Sequence, residues 1–520
     1  MKAPAWWIAP IRYAPAIASM GSADPNRATR TITKGEQGIA VRKGGCRVES
    51  RSHHSRMPDE GAVGSRCVGT TNFLRSPNFR MSRLAAALLI IAALATLAWL
   101  LIDWEWSTID DPGHVLALQA HVQQQGRIAG AFAYMGDLIE KDRSWALFRP
   151  SYWVYPAIFY QLPVAVAHAV RLLMVILAIA GPIIYFRRNG ASRSRLAVTA
   201  LLVFAAGSVL YQGLFLVSLQ ELSGAAFVGL GLLMRRSGWR VASWTVAAWF
   251  KAPFAWLLVG EAVVLWRRGE RRLATVSGLI GAGTLVVSAI VSRGGTYTGA
   301  YSLDPVVIAS NVSKLAVPSN VLLLVSVVWW LAATQTGLQR TPETLVFGVA
   351  LIGYTVQLLP WMVDAYYMGP ISYFLGLALV SLLTQPSGVS GRAIAVGLVV
   401  PAVVALALVA IPLRQGLATN AVLAGLSHCL ADRPTSATVI LGELPYVTTS
   451  MEGPIRIAES VKLRNPKWTG TVQLETPDGE GLRDPSTTLY AVIGAGSLPA
   501  GRGAEVVCQA RNLTVYELGS

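Results

Sequence analysis

The sequence predicts an all-α polytopic membrane protein with about 11 transmembrane helices. It adds an amphipathic first outside loop and a small C-terminal extracytoplasmic α/β domain. Three observations carry this. The 520 residues are 53% hydrophobic and only 14% charged, where a soluble domain carries about 25% charged residues, and mean hydropathy is +0.48. Apolar runs recur through the middle of the chain, separated by short basic turns. From Arg414 onward that pattern stops and β-forming residues alternate instead.

The formal net charge of +16 does not describe a nucleic-acid groove. Residues 1–80 hold 13 Lys and Arg against 5 Asp and Glu. The rest of the excess sits mostly in turns between apolar segments, as the positive-inside rule requires. Residues 1–80 are rich in Gly, Ser and Arg and show no sustained apolar period. They read either as a disordered arm or as an extension ahead of a start near Met81, which is followed at once by a basic residue and a span.

The segment 81–413 reads as the membrane domain. Its apolar runs are 84–102, 157–186, 196–216, 219–234, 241–252, 254–266, 273–292, 319–336, 343–360, 367–384 and 393–412. A helix needs about 20 residues to cross the hydrocarbon. The two runs from Val241 to Trp266 are too short for that, and read as a bent hairpin turning near Lys251 and Pro253. One long helix is the alternative. Arginines 187, 188, 193 and 195, then 235, 236 and 240, then 267, 268, 271 and 272, with Arg340 and Arg392, mark alternate turns. That alternation puts the N-terminus in the cytoplasm and the opposite face outside.

The outer face then receives DWEWSTIDDPGHVLALQAHVQQQGRIAG, Glu221, Lys251, the 293–318 loop, the turn around Asp364, and everything after Leu413. In residues 414–520, TNAVLAGLSHCLAD reads as an amphipathic helix. SATVILGEL, TGTVQLE, TTLYAVIGA, AEVVCQA and LTVYEL read as strands. If this part lies outside the cytoplasm, Cys429 and Cys508 can form a disulfide.

The first outer loop holds the chemistry-bearing residues. Asp110 and Asp111 form a carboxylate pair at the membrane boundary, with His114 just beyond. Glycosyl transfer needs a base to take the acceptor proton, and apolar surroundings bring a carboxylate pKa toward that task. Asp-Asp-Pro-Gly is also good turn chemistry. GHVLALQAHVQQQGRI has helical spacing suited to the membrane surface. KDRSWALFRPSYWVYP then sets Arg143 and Arg149 among interfacial aromatics. Guanidinium groups suit a phosphate or pyrophosphate, and equally a lipid headgroup. Lys251 lies in apolar VAAWFKAPFAWL, either at a functional site or snorkelling. Glu221 reads as a solvated cap before a site residue, and His168 and Arg171 as interior contacts on one helix face. No His or Cys cluster completes a metal set. Asn311-Val-Ser and Asn512-Leu-Thr match glycosylation acceptors, a short and common pattern.

The order of these parts resembles the integral-membrane glycosyltransferases of the C-type fold (GT-C). That family includes the bacterial protein mannosyltransferase and lipid A aminoarabinose transferase branches, which this plan resembles. TIDDPGHV stands where that family carries its acidic pair, so Asp110 would correspond to the base and Asp111 to its support. FRPSYWVYP, LQELSG, AAWFKAPF and PWMVDAYYMGPISYF also resemble family segments, over roughly Met81 to Leu413. Many members place Glu after the Lys, where this chain has Ala252.

The resemblance implies an inverting transferase of the cytoplasmic (inner) membrane. Its partners would be a polyprenyl-phosphate-linked sugar donor, an extracytoplasmic glycan, lipid or protein acceptor, and membrane lipids, with no nucleic acid. Arg143, Arg149, Lys251, Arg293 and Lys314 would meet the donor phosphate, with His114, Glu221 and Asp364 as further polar candidates. No cofactor is expected, and a divalent metal at the acidic pair stays open. Two other classes remain: a transporter or flippase for lipid-linked saccharides, and a non-catalytic envelope assembly protein. A transporter would carry an internal repeat and mid-membrane charges in both halves, which this sequence lacks.

Overall fold

The computed structural model describes residues 111–145, 147–190, 219–291, 303–316, 341–360, 368–382, 422–431, 438–441, 453–474, 487–493, 504–510 and 513–518, with a few between 320 and 328. The sequence runs at 84–102, 196–216 and 393–412 lie outside them, as do Asp110, Arg293 and Asp364.

The segment expected to form the first outer loop makes two packed helices, α1 (Asp111–Gln125) and α2 (Arg127–Trp145). Gly126 separates them at φ 82°, a left-handed conformation that favours glycine. Gly130 lets the second helix return closely over the first: a Cβ there would lie 2.7 Å from the backbone of His121. Val115, Leu118, Tyr134 and Leu138 are the buried face of this pair.

Helix α3 (Pro150–Phe159) begins with Pro at its first turn, where the missing N–H costs nothing. Pro163 then starts α4 (Val164–Arg188). The apolar run 157–186 is therefore two elements. The separation has a local cause, since Pro163 has extended backbone at the N-cap and cannot continue a helix.

Helices α5 (Leu219–Leu233), α6 (Ser237–Phe250), α7 (Ala255–Arg267), α8 (Arg271–Val291), α9 (Pro305–Lys314), α10 (Pro342–Leu358) and α11 (Met368–Leu382) complete the described helical part. Between α6 and α7 the chain is extended at Lys251 and makes one 3-10 turn over Ala252–Phe254. The single long helix is thus excluded. Two described helices, α4 at 25 residues and α8 at 21, are long and apolar enough to cross a membrane. Helix α10 has a reciprocal capping box, with Thr341 and Thr344 each satisfying the other's backbone.

A continuous apolar core joins α4, α5, α6, α7, α10 and α11. Phe254 sits at its centre, edge-on to Tyr354 and Phe374 at 5.9 and 5.5 Å between ring centres. Tyr373 donates to the Ala178 carbonyl at 2.8 Å and ties α11 to α4. Helices α4 and α5 touch backbone to backbone: a Cβ on Gly181 would lie 2.3 Å from the Gly229 carbonyl oxygen.

The C-terminal lobe is a five-stranded mixed sheet in the order β2-β1-β3-β5-β4. Its strands are β1 (Thr438–Leu441), β2 (Val472–Leu474), β3 (Thr487–Ile493), β4 (Ala504–Ala510) and β5 (Leu513–Leu518). β1 is parallel to β2 and β3, while β5 is antiparallel to β3 and β4. All five strands fall in segments whose alternation predicts them. Helix α12 (Gly453–Arg464) does not figure in the sequence reading. Its apolar face, Ile457, Ala458 and Val461, packs with Trp468, Val439 and the helical stretch 422–429 in a second core. A disulfide joins Cys429 to Cys508 of β4, with Cα atoms 5.5 Å apart. Helix α12 also packs against α1, where Leu463 reaches the cluster of Val115, Leu118 and Tyr134.

Candidate active site

Asp111 is the first residue of α1 and is only 1% exposed. A helix N-terminus favours a carboxylate, because unpaired backbone N–H groups gather there. Burial would still be costly without partners. Tyr160 and Arg171 supply compensation. Tyr160, at the end of α3, donates its hydroxyl to Asp111 Oδ1 at 2.6 Å. Arg171, from the first half of α4, donates through Nη2 to Oδ2. The Arg171 side chain is fully buried and lies against the Phe159 ring at 5.2 Å. Its Nε and Nη1 have no hydrogen-bond partner among the described residues. A sequence reading places Arg171 inside the bundle, and the structure gives it a specific role there.

One helical turn beyond Asp111, His114 stacks on Tyr160, with rings 5.4 Å apart and nearly parallel. Its Nδ1 pairs with the Tyr134 hydroxyl, and its Nε2 with the Tyr152 hydroxyl at 2.7 Å. A neutral imidazole donates from one nitrogen and accepts at the other, so both positions are used. Burial raises the Tyr155 phenol well above its usual range; Arg171 opposes the shift and Asp111 adds to it. Tyr155 therefore stays neutral and serves as packing, stacked on Phe159 at 5.0 Å.

The arginines of the loop separate. Arg143 is exposed, on the last turn of α2. Arg149 is half-buried at the N-cap of α3, and its guanidinium lies over the Tyr152 ring at 4.4 Å. It donates through Nε to Asp142 Oδ2 at 3.0 Å and through Nη2 to Oδ1, a two-point contact. Trp153 Nε1 donates to the same carboxylate at 2.7 Å. Asp142 is almost fully buried and went unmarked in the sequence. Its signal was local: an acid four residues past Leu138 on the inward face of α2.

Glu221 requires a correction. It is not a solvated cap but is buried in the first turn of α5, where it accepts from Lys251 Nζ. The extended residue between α6 and α7 projects Lys251 toward it. Arg149 is close enough to act electrostatically on Lys251. Ser151 of α3 also donates to the Val246 carbonyl of α6 at 3.2 Å, which joins the two polar groups through their helices.

One region therefore collects Asp111, Arg171, Tyr160, His114, Arg149, Asp142, Lys251 and Glu221. Lys314 ends α9, whose Asn311 donates to the Leu359 carbonyl after α10 at 2.8 Å. Among the described residues no three His, Cys, Asp or Glu side chains group to hold a metal ion.

No family model matches the sequence, and no curated protein matches it. The chain is similar to two crystal structures of ArnT from Cupriavidus metallidurans, one bound to undecaprenyl phosphate and one in the apo state. Each is 14% identical with a TM-score of 0.44, and the matches cover 83% and 84% of this chain and 98% of ArnT.

Proposed function

We propose that this chain is a membrane glycosyltransferase that moves a sugar from a polyprenyl-phosphate donor to an extracytoplasmic acceptor. The observation that carries the reading is the buried Asp111 held by Arg171 and Tyr160 at the start of α1. Asp110 is one peptide unit away, about 3.8 Å between Cα atoms. An anchored neighbour limits how far a base can wander, which positioning demands of acid–base catalysis.

In this reading the Asp110 carboxylate takes the proton of the acceptor hydroxyl. The acceptor oxygen attacks the anomeric carbon, the bond to the phosphate oxygen breaks, and the leaving phosphate keeps the electron pair. The sugar inverts its configuration. Cations lower the barrier where negative charge gathers on the leaving group. Arg149 and Lys251 are favoured for that, because they lie within electrostatic reach of each other. Their pairing with Asp142 and Glu221 holds both side chains in place before the donor arrives. Arg143, Arg293 and Lys314 are the remaining candidates. The disulfide of the C-terminal lobe suits an oxidising compartment, so that lobe and Asp110 would share the outer face.

Asp110→Asn should leave membrane expression intact and reduce transfer by roughly 10²-fold, the effect of losing a general base. Profiling of envelope glycans and polyprenyl-linked sugars in cells reads this out as loss of one modification with accumulation of its lipid-linked donor. Unchanged glycans and carriers in a well-expressed variant would reject the assignment.

A further inference from the structure

A second polar cavity lies at the other end of α4. Arg171 and Arg188 are 17 residues apart on that helix, which is about 25 Å along its axis. The cavity has a volume of about 630 Å³ and opens between the ends of α4, α5, α6, α7 and α10. Four guanidinium groups line it, from Arg188, Arg235, Arg240 and Arg268. Arg240 is buried at its floor, donating through Nε to Glu261 at 2.9 Å and lying over Trp244. The lining carboxylate, Glu343, is occupied by the Tyr185 hydroxyl at 2.5 Å.

The two rim arginines are different. Among the described residues, no hydrogen bond or close ion pair holds the guanidinium groups of Arg235 and Arg268, and Arg268 acts on Glu261 through its charge alone. Solvated surface arginines are ordinary, but these line an open recess of ligand size. They also sit at a defined level. Trp239 and Trp266 are 64% and 58% exposed on the same helix ends, and Arg271 lies 5.7 Å from the Trp266 ring. Large exposed indoles beside arginines are the composition of a membrane–water interface. Leu232 and Phe186 give the same cavity an apolar wall.

We propose that this cavity binds the phosphate of an anionic phospholipid headgroup, at a site separate from the Asp111 region. Arg235 and Arg268 would grip the phosphate oxygens, and the apolar wall would take the start of an acyl chain. Basic pockets between helices bind anionic headgroups in this way. The shared chemistry is a phosphate anion, and a soluble phosphate is the other source. The proposal rests on the membrane reading but not on Asp110 chemistry, so either can fail alone.

The full chain, purified in detergent, would be titrated with phosphatidylglycerol and with phosphatidylcholine, and bound lipid counted by native mass spectrometry. Inorganic pyrophosphate would be tested in parallel by thermal shift. The expected result is preferential retention of phosphatidylglycerol, weakened roughly tenfold or more in Arg235→Gln/Arg268→Gln. Both residues are exposed, so that variant should fold normally. A pyrophosphate shift lost in the same variant, with no lipid preference, would keep the phosphate site and change its source. Equal retention of both lipids with no pyrophosphate shift, or binding that the variant leaves unchanged, would overturn the proposal.

Discussion

Arg171→Met is expected to cost about 3–5 kcal/mol of stability, enough to remove most folded protein from the membrane. The reason is the carboxylate left behind. Asp111 is 1% exposed, and Arg171 is its cationic partner among the described residues. Removing the cation leaves a buried charge without its ion pair, beside the Tyr160 hydroxyl and the α1 N-terminus. Replacing both partners should cost much less, because no unpaired charge remains. Asp111→Leu/Arg171→Met is thus expected to recover much of the loss. The recovery stays incomplete, since the buried Tyr160 hydroxyl loses its bond to Asp111, a loss of about 1–3 kcal/mol. Thermal unfolding of the four proteins in one detergent gives the coupling energy. Single variants whose effects simply add would show that the pair is not a unit.

Gly229→Leu should separate α4 from α5 and destabilise the bundle by roughly 3 kcal/mol or more, the upper end for overpacking. A Cβ at Gly229 would lie 2.1 Å from the Leu177 carbonyl oxygen, and one at Gly181 would meet the Gly229 backbone. Backbone atoms on both sides cannot rotate away as a side chain can. Small residues are what allow such contacts between apolar helices. Gly283→Ala on α8 is the control: nothing lies within 4 Å of a Cβ there. It should be neutral or raise stability by about 0.5–1 kcal/mol, through better helix propensity. Equal melting temperatures for Gly229→Leu and the parent would show that these helices are not packed as described.

Local chemistry was legible in the sequence, and long-range pairing was not. The stop near Lys251 followed from segment length and Pro253. The strands of the C-terminal lobe followed from alternation. His168 and Arg171 were readable as inward-facing because three residues of helix bring them to one side. Nothing in sequence spacing could connect Arg171 to Asp111, 60 positions away, or Lys251 to Glu221, 30 positions away. Glu221 was misread because a lone acid between two apolar runs is usually a solvated turn, and only the partner reveals the burial. The run 157–186 looked continuous because hydropathy does not register Pro163 as a boundary. Helix α12 was missed because GPIRIAESVKLR is too polar on average to stand out, although its apolar positions recur with helical spacing.

The seating of α12 on α1 bears on how the two ends of the chain can be separated by protein engineering. Helix α1 is covered by a lobe that begins some 300 residues later in the sequence. A chain shortened at residue 413 would lose Leu463 and bare part of the apolar surface around Val115 and Leu118. That surface starts four residues from Asp111. Such a truncate would be a damaged version of the front half rather than a simpler one. Its inactivity would say little about whether the lobe recruits an acceptor. A point change on the far side of the sheet, which leaves the α12 contact whole, would separate recruitment from support.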